Sequence, residues 1–327
     1  LKNKNCIKTW NGKPRTPSLE WETEESTDMC LVSPYWEYFA DVLIRLNKEF
    51  GVDYFYFDGM GQSGCNDPSH FHGTIGNTGE EREQCYGFLL PVYLGKIMNK
   101  VTAACPESFF EFDATESSRI GIGLQFLSNG RYFILNNGPY FKNLDLGESL
   151  LPNKCHNVFI NPGPARTWFM RSVLDYDKWI PSNLFLANYQ PDEPRNSQLI
   201  NLASLVLGQN SIWAEILKTS SEGVALFNEI IGKYKQVRDD VATASPIRTG
   251  RPGDTPEIYE KINPQTGKGV VVIFSNGKGE FTYVVKNQVA SGFWASQDVS
   301  VKKEGNHAKI VATFKEASAA IVFFGIN

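Results

Sequence analysis

What this chain lacks narrows its chemistry before any motif is considered. Its six cysteines, Cys6, Cys30, Cys65, Cys85, Cys105 and Cys155, include no Cys-x-x-Cys pair, which argues against a zinc knuckle or a thioredoxin-like redox motif. There is no Gly-x-Gly-x-x-Gly opening a helix, no P-loop and no Gly-x-Ser-x-Gly elbow. Dinucleotide binding, phosphate cradling and α/β-hydrolase chemistry therefore have no signature here. No apolar run is long enough to span a bilayer, and no signal-peptide pattern is visible. Basic stripes are missing as well, and a net charge of −4 offers nucleic acid no electrostatic attraction. Internal repeats and low-complexity tracts are absent. Neither nucleic acid nor a membrane span is expected.

What is present is apolar and aromatic. With 327 residues, 42% of them hydrophobic and 13% aromatic, the chain can bury one large domain and a small one. Its most informative stretch is Val52-Asp53-Tyr54-Phe55-Tyr56-Phe57-Asp58-Gly59, a strand-like aromatic run ending in a carboxylate. Before it, the spacing predicts a helix from Pro34 to about Phe50, with Ser33 as N-cap and proline at the first helical position. Trp36, Phe39, Leu43, Leu46 and Phe50 recur at three- and four-residue steps and give that helix an apolar face. A helix, a Gly-Val turn, a buried strand and an acid at its carboxyl end form the pattern that places catalytic residues in a (β/α) barrel.

From there to about residue 217, strand-like and helix-like runs alternate, which favours a parallel sheet flanked by helices. Strands are expected at 53–57, 108–113, 131–136, 156–160 and 183–188, and a helix at Leu89–Thr102. The polar stretch 59–82 reads as a long functional loop. A further helix is expected over about 221–240, followed by a linker rich in proline and glycine. Short β-runs then follow at Gly269–Ser275, Glu280–Val285, Val299–Lys303, Ala308–Phe314 and Ala319–Phe324, with turns such as Asn276-Gly277 between them. The expected architecture is a (β/α)8 TIM-type barrel over 1–245 and a small antiparallel β-sandwich over 257–327. A full barrel needs about 250 residues, and only about 33 precede the first helix. The first two or three barrel strands are therefore expected to be missing, either because the chain is trimmed or because the barrel is incomplete.

Four groups of residues could carry chemistry. Asp58, at the end of an apolar strand, is the first; an Asp that merely caps the next turn is the alternative. The second lies in Phe109-Phe110-Glu111-Phe112-Asp113-Ala114-Thr115-Glu116-Ser117-Ser118-Arg119. Strand alternation puts Glu111 and Asp113 on one face, and Asp113, Glu116 and Arg119 form a charged group suited to sugar hydroxyls. The third runs from Arg166 to Trp179, where Trp168, Arg171 and Asp175 interleave stacking faces, charged forks and acids. The fourth is Asn188–Glu193, after a strand end. Glycoside hydrolysis needs two carboxyl groups flanking the bond, and Asp58 with one of these acids could supply them. No histidine is an evident partner for a cysteine nucleophile. His70 and His72 have metal-ligand spacing, and with Asp67 they permit a metal-assisted hydrolase, yet a third ligand is not evident and no metal is assigned. Cys65 and Cys85 could close the polar loop as a disulfide or stay as free thiols.

With those residues on the page, the chain resembles the α-galactosidase-type glycoside hydrolases of families 27 and 36 and their bacterial relatives, from about residue 29 to the C-terminus. Asp-Tyr-Phe-Tyr-Phe-Asp58 is similar to the fourth-strand motif whose last Asp is that family's nucleophile. Tyr234-Lys235-Gln236-Val237-Arg238 and the later Pro246-Ile247-Arg248-x-Gly250-x-Pro252-Gly253 resemble the junction between barrel and sandwich. Arg171-x-x-x-Asp175 with Trp179 looks like the region of the acid/base Asp. The resemblance implies a retaining exo-α-glycosidase acting on an α-galactoside or a related α-linked sugar through an ester on Asp58, with no cofactor. Catalysis would fall to Asp58 and Asp175, and substrate binding to Tyr56, Asp113, Glu116, Arg119, Trp168 and Arg171. Two departures stand out: Tyr56 replaces the family's sugar-binding Lys, and Phe112–Glu116 replaces its glycine-rich fifth-strand motif. An inactive carbohydrate-binding relative is the alternative. A secreted or periplasmic setting is expected.

Overall fold

The computed structural model describes residues 2–15, 27–57, 64–113, 132–134, 185–187, 195–208, 210–212, 217, 219–251 and 253–326. They fall into two compact units, Leu1–Phe133 and Ile134–Asn327.

In the first unit, a short helix α1 (Lys2–Asn5) precedes α2 (Tyr35–Phe50), β1 (Tyr54–Phe57), α3 (Gly79–Ala104) and β2 (Phe109–Asp113). Helix α2 starts one residue later than the spacing predicts. Pro34 takes the N-cap position, and the Ser33 hydroxyl accepts from the Tyr35 amide at 3.2 Å. Gly51 ends the helix in the left-handed region at φ 70°, its N–H donating back to the Asn47 carbonyl, a conformation open to glycine at no steric cost. Ala40 and Leu43 are the buried residues of α2, whereas Phe50, expected on the apolar face, is 71% exposed at its last position.

Strands β1 and β2 pair in parallel, Tyr54 with Phe109 through Phe57 with Phe112, and β3 (Tyr132–Ile134) extends the sheet in the order β1-β2-β3. The β1–α3–β2 connection is thus a βαβ unit, which a parallel pair requires. Pleating sorts the side chains: Phe55, Phe57, Phe110 and Phe112 are buried and stack on one another with ring centroids 5.2–5.8 Å apart. Phe39 of α2 meets Phe57 edge-on at 6.2 Å, so the helices cover this aromatic face.

Helix α3 begins about ten residues before the expected Leu89. A capping box at Thr78 and Glu81 nucleates it, and Arg82 ties its first turns to the preceding loop through the carbonyls of Asn66, Thr74 and Asn77. Residues 79–82, read as loop from their polarity, are therefore helical and solvent-facing.

The second unit holds another parallel pair, β4 (Phe185–Ala187) and β5 (Asn210–Ile212), joined across α4 (Arg195–Leu205). The helix expected over 221–240 is two helices, α5 (Ser221–Tyr234) and α6 (Arg238–Thr243). The turn between them buries Val237, which a continuous helix would carry around its axis. Strands β6 (Ile247–Thr249), β7 (Glu257–Ile262), β8 (Gly269–Ser275), β10 (Phe293–Ala295) and β13 (Ser318–Phe324) form one antiparallel sheet, and β9 (Gly279–Val284), β11 (Val299–Glu304) and β12 (His307–Phe314) form a second. Ile258, Val271, Ile273 and Val322 from the first sheet share one apolar core with Tyr283, Ile310, Ala312 and Phe314 from the second. This is an antiparallel sandwich. The described residues show two parallel βαβ units and this sandwich; barrel closure is not seen among them.

Candidate functional site

The register of β1 and β2 defines one candidate site. Because Phe57 pairs with Phe112 in parallel, the chain leaves both strands at the same end, with Asp58 following one and Asp113 ending the other. The face opposite the phenylalanine stack carries Tyr54, Tyr56 and Glu111. Tyr54 and Tyr56 are 44% and 40% exposed, whereas Glu111 is buried. The Tyr54 hydroxyl donates to the Glu111 carboxylate. Burial first, and then the hydrogen bond and charge of Glu111, push the Tyr54 phenol well above its usual range. A buried acid held by a tyrosine beside an exposed tyrosine ring suits hydroxyl-bearing ligands, which need acceptors for O–H groups and a flat face to stack on.

Of the residues singled out from the sequence, Tyr56 lies on β1, opposite Glu111, and Asp113 is the last residue of β2. Asp58, Glu116, Arg119, Trp168, Arg171 and Asp175 lie outside the described residues, as does the segment Asn188–Glu193.

A second constellation sits in the loop between β1 and α3. Cys65, His70 and His72 converge with Cys30, which precedes α2; one ligand-type atom from each lies within 4.8 Å of all the others, and all four residues are buried. Cys65 Sγ is 3.5 Å from His70 Nδ1 and accepts the backbone N–H of Lys8 at 3.4 Å. The opposite ring nitrogen, His70 Nε2, lies 2.9 Å from the Lys4 carbonyl, which makes it an N–H donor and turns Nδ1 towards the Cys65 sulfur. Both ring nitrogens of His72 are buried without a well-formed hydrogen bond, although the ring is close enough to the Cys65 sulfur to stabilise its thiolate. The hydrogen bond from the Cys30 thiol holds the Cys65 thiol well below its usual range and raises that of Cys30.

Asp67, grouped with the two histidines on sequence, lies 3.7 Å from His70 Nε2 but its shorter contacts go elsewhere. It makes a 2.6 Å ion pair with Lys8 and accepts from the amide and hydroxyl of Ser69. Cys65 and Cys85 are both free thiols, so the disulfide that could have closed this loop is not formed. Cys30 is the partner that sequence reasoning missed. It stands 35 residues before Cys65, and a pairing across a helix and a strand leaves no local spacing to read.

No protein-family model matches the sequence, and no curated protein matches it. Solved structures do. A GH36 alpha-galactosidase of Geobacillus stearothermophilus in complex with raffinose matches 98% of this chain at 12% identity with a TM-score of 0.58, over 41% of its own length. The alpha-galactosidase of Lactobacillus brevis matches 98% at 11% identity with a TM-score of 0.57, over 42% of its length. An alpha-amylase of Geobacillus thermoleovorans complexed with acarbose matches 99% at 8% identity with a TM-score of 0.58, over 73% of its length. The chain thus spans about two fifths of the alpha-galactosidases it resembles. At these identities the likeness shows a fold shared with these structures and nothing finer. It does not single out families 27 and 36, because an alpha-amylase matches equally well.

Proposed function

We propose that this chain belongs to a retaining exo-α-glycosidase acting on an α-galactoside or a related α-linked sugar. The observation that carries this reading is the parallel β1–β2 register, which puts the carboxyl ends of both strands at one end of the sheet, with Asp113 ending β2 and Asp58 next in sequence after β1. The carboxyl end of parallel strands is where α/β barrels gather their chemistry. The likeness to solved alpha-galactosidases and an alpha-amylase supports glycoside hydrolysis as the class.

In this reading the Asp58 carboxylate attacks the anomeric carbon while the glycosidic C–O bond breaks. Asp175, protonated, gives its proton to the departing oxygen, leaving a glycosyl ester on Asp58. Asp175 then takes a proton from water, whose oxygen attacks the same carbon and releases the sugar and the Asp58 carboxylate. Tyr56, Asp113, Glu116, Arg119, Trp168 and Arg171 bind sugar hydroxyls and faces. Residues 1–245 supply the catalytic part and 257–327 a packing domain.

Tyr56 favours one competing reading. A phenol stands where the resembling families carry a sugar-binding Lys, and a ring 40% exposed can stack on a sugar without catalysis, as in a carbohydrate-binding relative. A panel of nitrophenyl α-glycosides, with raffinose as a natural α-galactoside, separates the two. Asp58→Asn should fold normally and lose several orders of magnitude in turnover, because the covalent route is gone. Near-normal turnover in that variant rules out the nucleophile assignment. Sugar binding without turnover in the unsubstituted full-length protein selects the binding-only reading.

A further inference from the structure

We propose that Cys30, Cys65, His70 and His72 bind one zinc ion as a closed, four-ligand structural site. The donor set is two sulfurs and two imidazoles, one of the standard compositions of structural zinc. Tetrahedral zinc with ordinary Zn–S and Zn–N bonds holds its ligand atoms about 3.3–3.8 Å apart. Here they already lie within 4.8 Å of one another, so small rotations of four side chains complete the sphere. Cys30, Cys65 and His72 are fully shielded from solvent and His70 is 5% exposed. No fifth position is open for a substrate, which points to a structural ion.

Two neighbours already act as outer partners to such a site. The Lys4 carbonyl holds His70 so that Nδ1 faces Cys65, the arrangement that orients metal-bound histidines. The Lys8 amide donates to Cys65 Sγ, as backbone amides do for a thiolate. His72 adds to this, since a fully buried imidazole whose nitrogens find no well-formed hydrogen bond and whose polar neighbour is the Cys65 sulfur gains a partner when a metal joins the two. Zinc takes both cysteines as thiolates and the two histidines as neutral imidazoles, so any protons these groups carry leave to solvent on binding. The ion and two thiolates are then neutral together, so burial carries no net charge.

Two other uses of the cluster fit less well. A Cys65–His70 nucleophile would be sealed from any substrate by its burial. A Cys30–Cys65 disulfide would leave His72 still without a well-formed hydrogen bond. A bound ion instead ties the segment before α2 to the loop between β1 and α3, the connection that begins at Asp58.

The test uses the full-length protein purified without chelator. Elemental analysis should give about one zinc per chain. Replacement by cobalt should give the strong visible absorption of a tetrahedral site and a thiolate-to-cobalt band in the near ultraviolet. Cys65→Ser should lose that band, His72→Ala should lose most of the metal, and Cys85→Ser, outside the cluster, should keep both. Should the ligand variants fail to fold, the stoichiometry and cobalt spectrum of the unsubstituted protein decide alone. Less than a tenth of an equivalent after dialysis against zinc, or a Cys30–Cys65 disulfide in non-reducing peptide mapping, overturns the proposal. So does full metal content in folded Cys65→Ser.

Discussion

Replacing Glu260 by glutamine separates what the sandwich holds together from what the rest of the chain is proposed to catalyse. Glu260 lies on β7, fully buried, and its two carboxylate oxygens accept four hydrogen bonds. One oxygen takes the Tyr283 hydroxyl and the Lys286 amide, each at 2.8 Å. The other takes the backbone amide and the side-chain amide of Asn287, each at 2.7 Å. Glutamine has the same shape but turns one acceptor into a donor. If the NH2 group faces Tyr283 and Lys286, the hydroxyl can rotate to accept, but the Lys286 N–H is left facing another donor, at a cost of about 1–3 kcal/mol. The surviving bonds lose their charge assistance, roughly half their strength, which adds about 1 kcal/mol. The expected destabilisation is about 2–4 kcal/mol, read as a lower urea midpoint with an unchanged slope. Turnover per folded molecule should not change, because the variant removes no group proposed to touch substrate. A loss under 0.5 kcal/mol, below the range for one unsatisfied buried donor, would refute the network's structural role. A stable variant without turnover would refute the non-catalytic assignment of the sandwich.

Tyr283 gives the same network a pH signature. Burial, followed by the Glu260 charge, holds its phenol well above the ordinary value of 10. The folded-state pKa is raised, so this contribution is complete below pH 10 and is lost as pH climbs towards the raised value, where the unfolded phenol ionises first. Tyr283→Phe should be less stable at neutral pH yet show a flatter decline above pH 10 in pH-dependent urea melts; an unchanged alkaline slope counts against the assignment. Thr78→Ala removes the side-chain half of the capping box on α3, the 3.2 Å bond from the Glu81 amide to the Thr78 hydroxyl, and keeps the Thr78 amide that donates to Glu81. It should cost about 0.5–2 kcal/mol in thermal or urea unfolding. Asp175→Ala should spare glycosides with good leaving groups and slow those with poor ones, because only the latter need a proton; equal slowing of both passes the acid role to Asp113 or Glu116.

What the sequence made legible follows from how locally each feature is encoded. The strands of the sandwich were readable from two local signals, two-residue alternation in β11 and β12 and continuous apolar runs in β8 and β13, and all four fall within a residue of their expected bounds. Strands β1 and β2 were readable for another reason: dense aromatic runs bounded by polar loops. Helix α3 was half-legible. Its second half shows Leu90, Leu94, Ile97, Met98 and Val101 at helical spacing, but its first turns are polar and are held by a cap and by Arg82 reaching back over the loop. Those bonds are tertiary, and no periodicity announces them. The break after Tyr234 is also tertiary, set by where Val237 is buried.

The Cys/His cluster marks the limit of that local code. His70 and His72 announce themselves by spacing, and Cys65 lies close enough to be noticed. Cys30 is connected to them only because α2 runs out and β1 runs back, so that the residue before the helix returns beside the loop after the strand. A helix of 16 residues rises about 24 Å. The chain must recover that length through the Gly51 turn and β1 before Cys65 can meet Cys30. Any change to the α2–β1 reversal should therefore act on the cluster without touching it. Gly51, in the left-handed region at φ 70°, is the position where that reversal is most sharply determined. A side chain there meets no neighbouring atom, so its effect would come from backbone strain alone, through the geometry that delivers Cys30 to its partners.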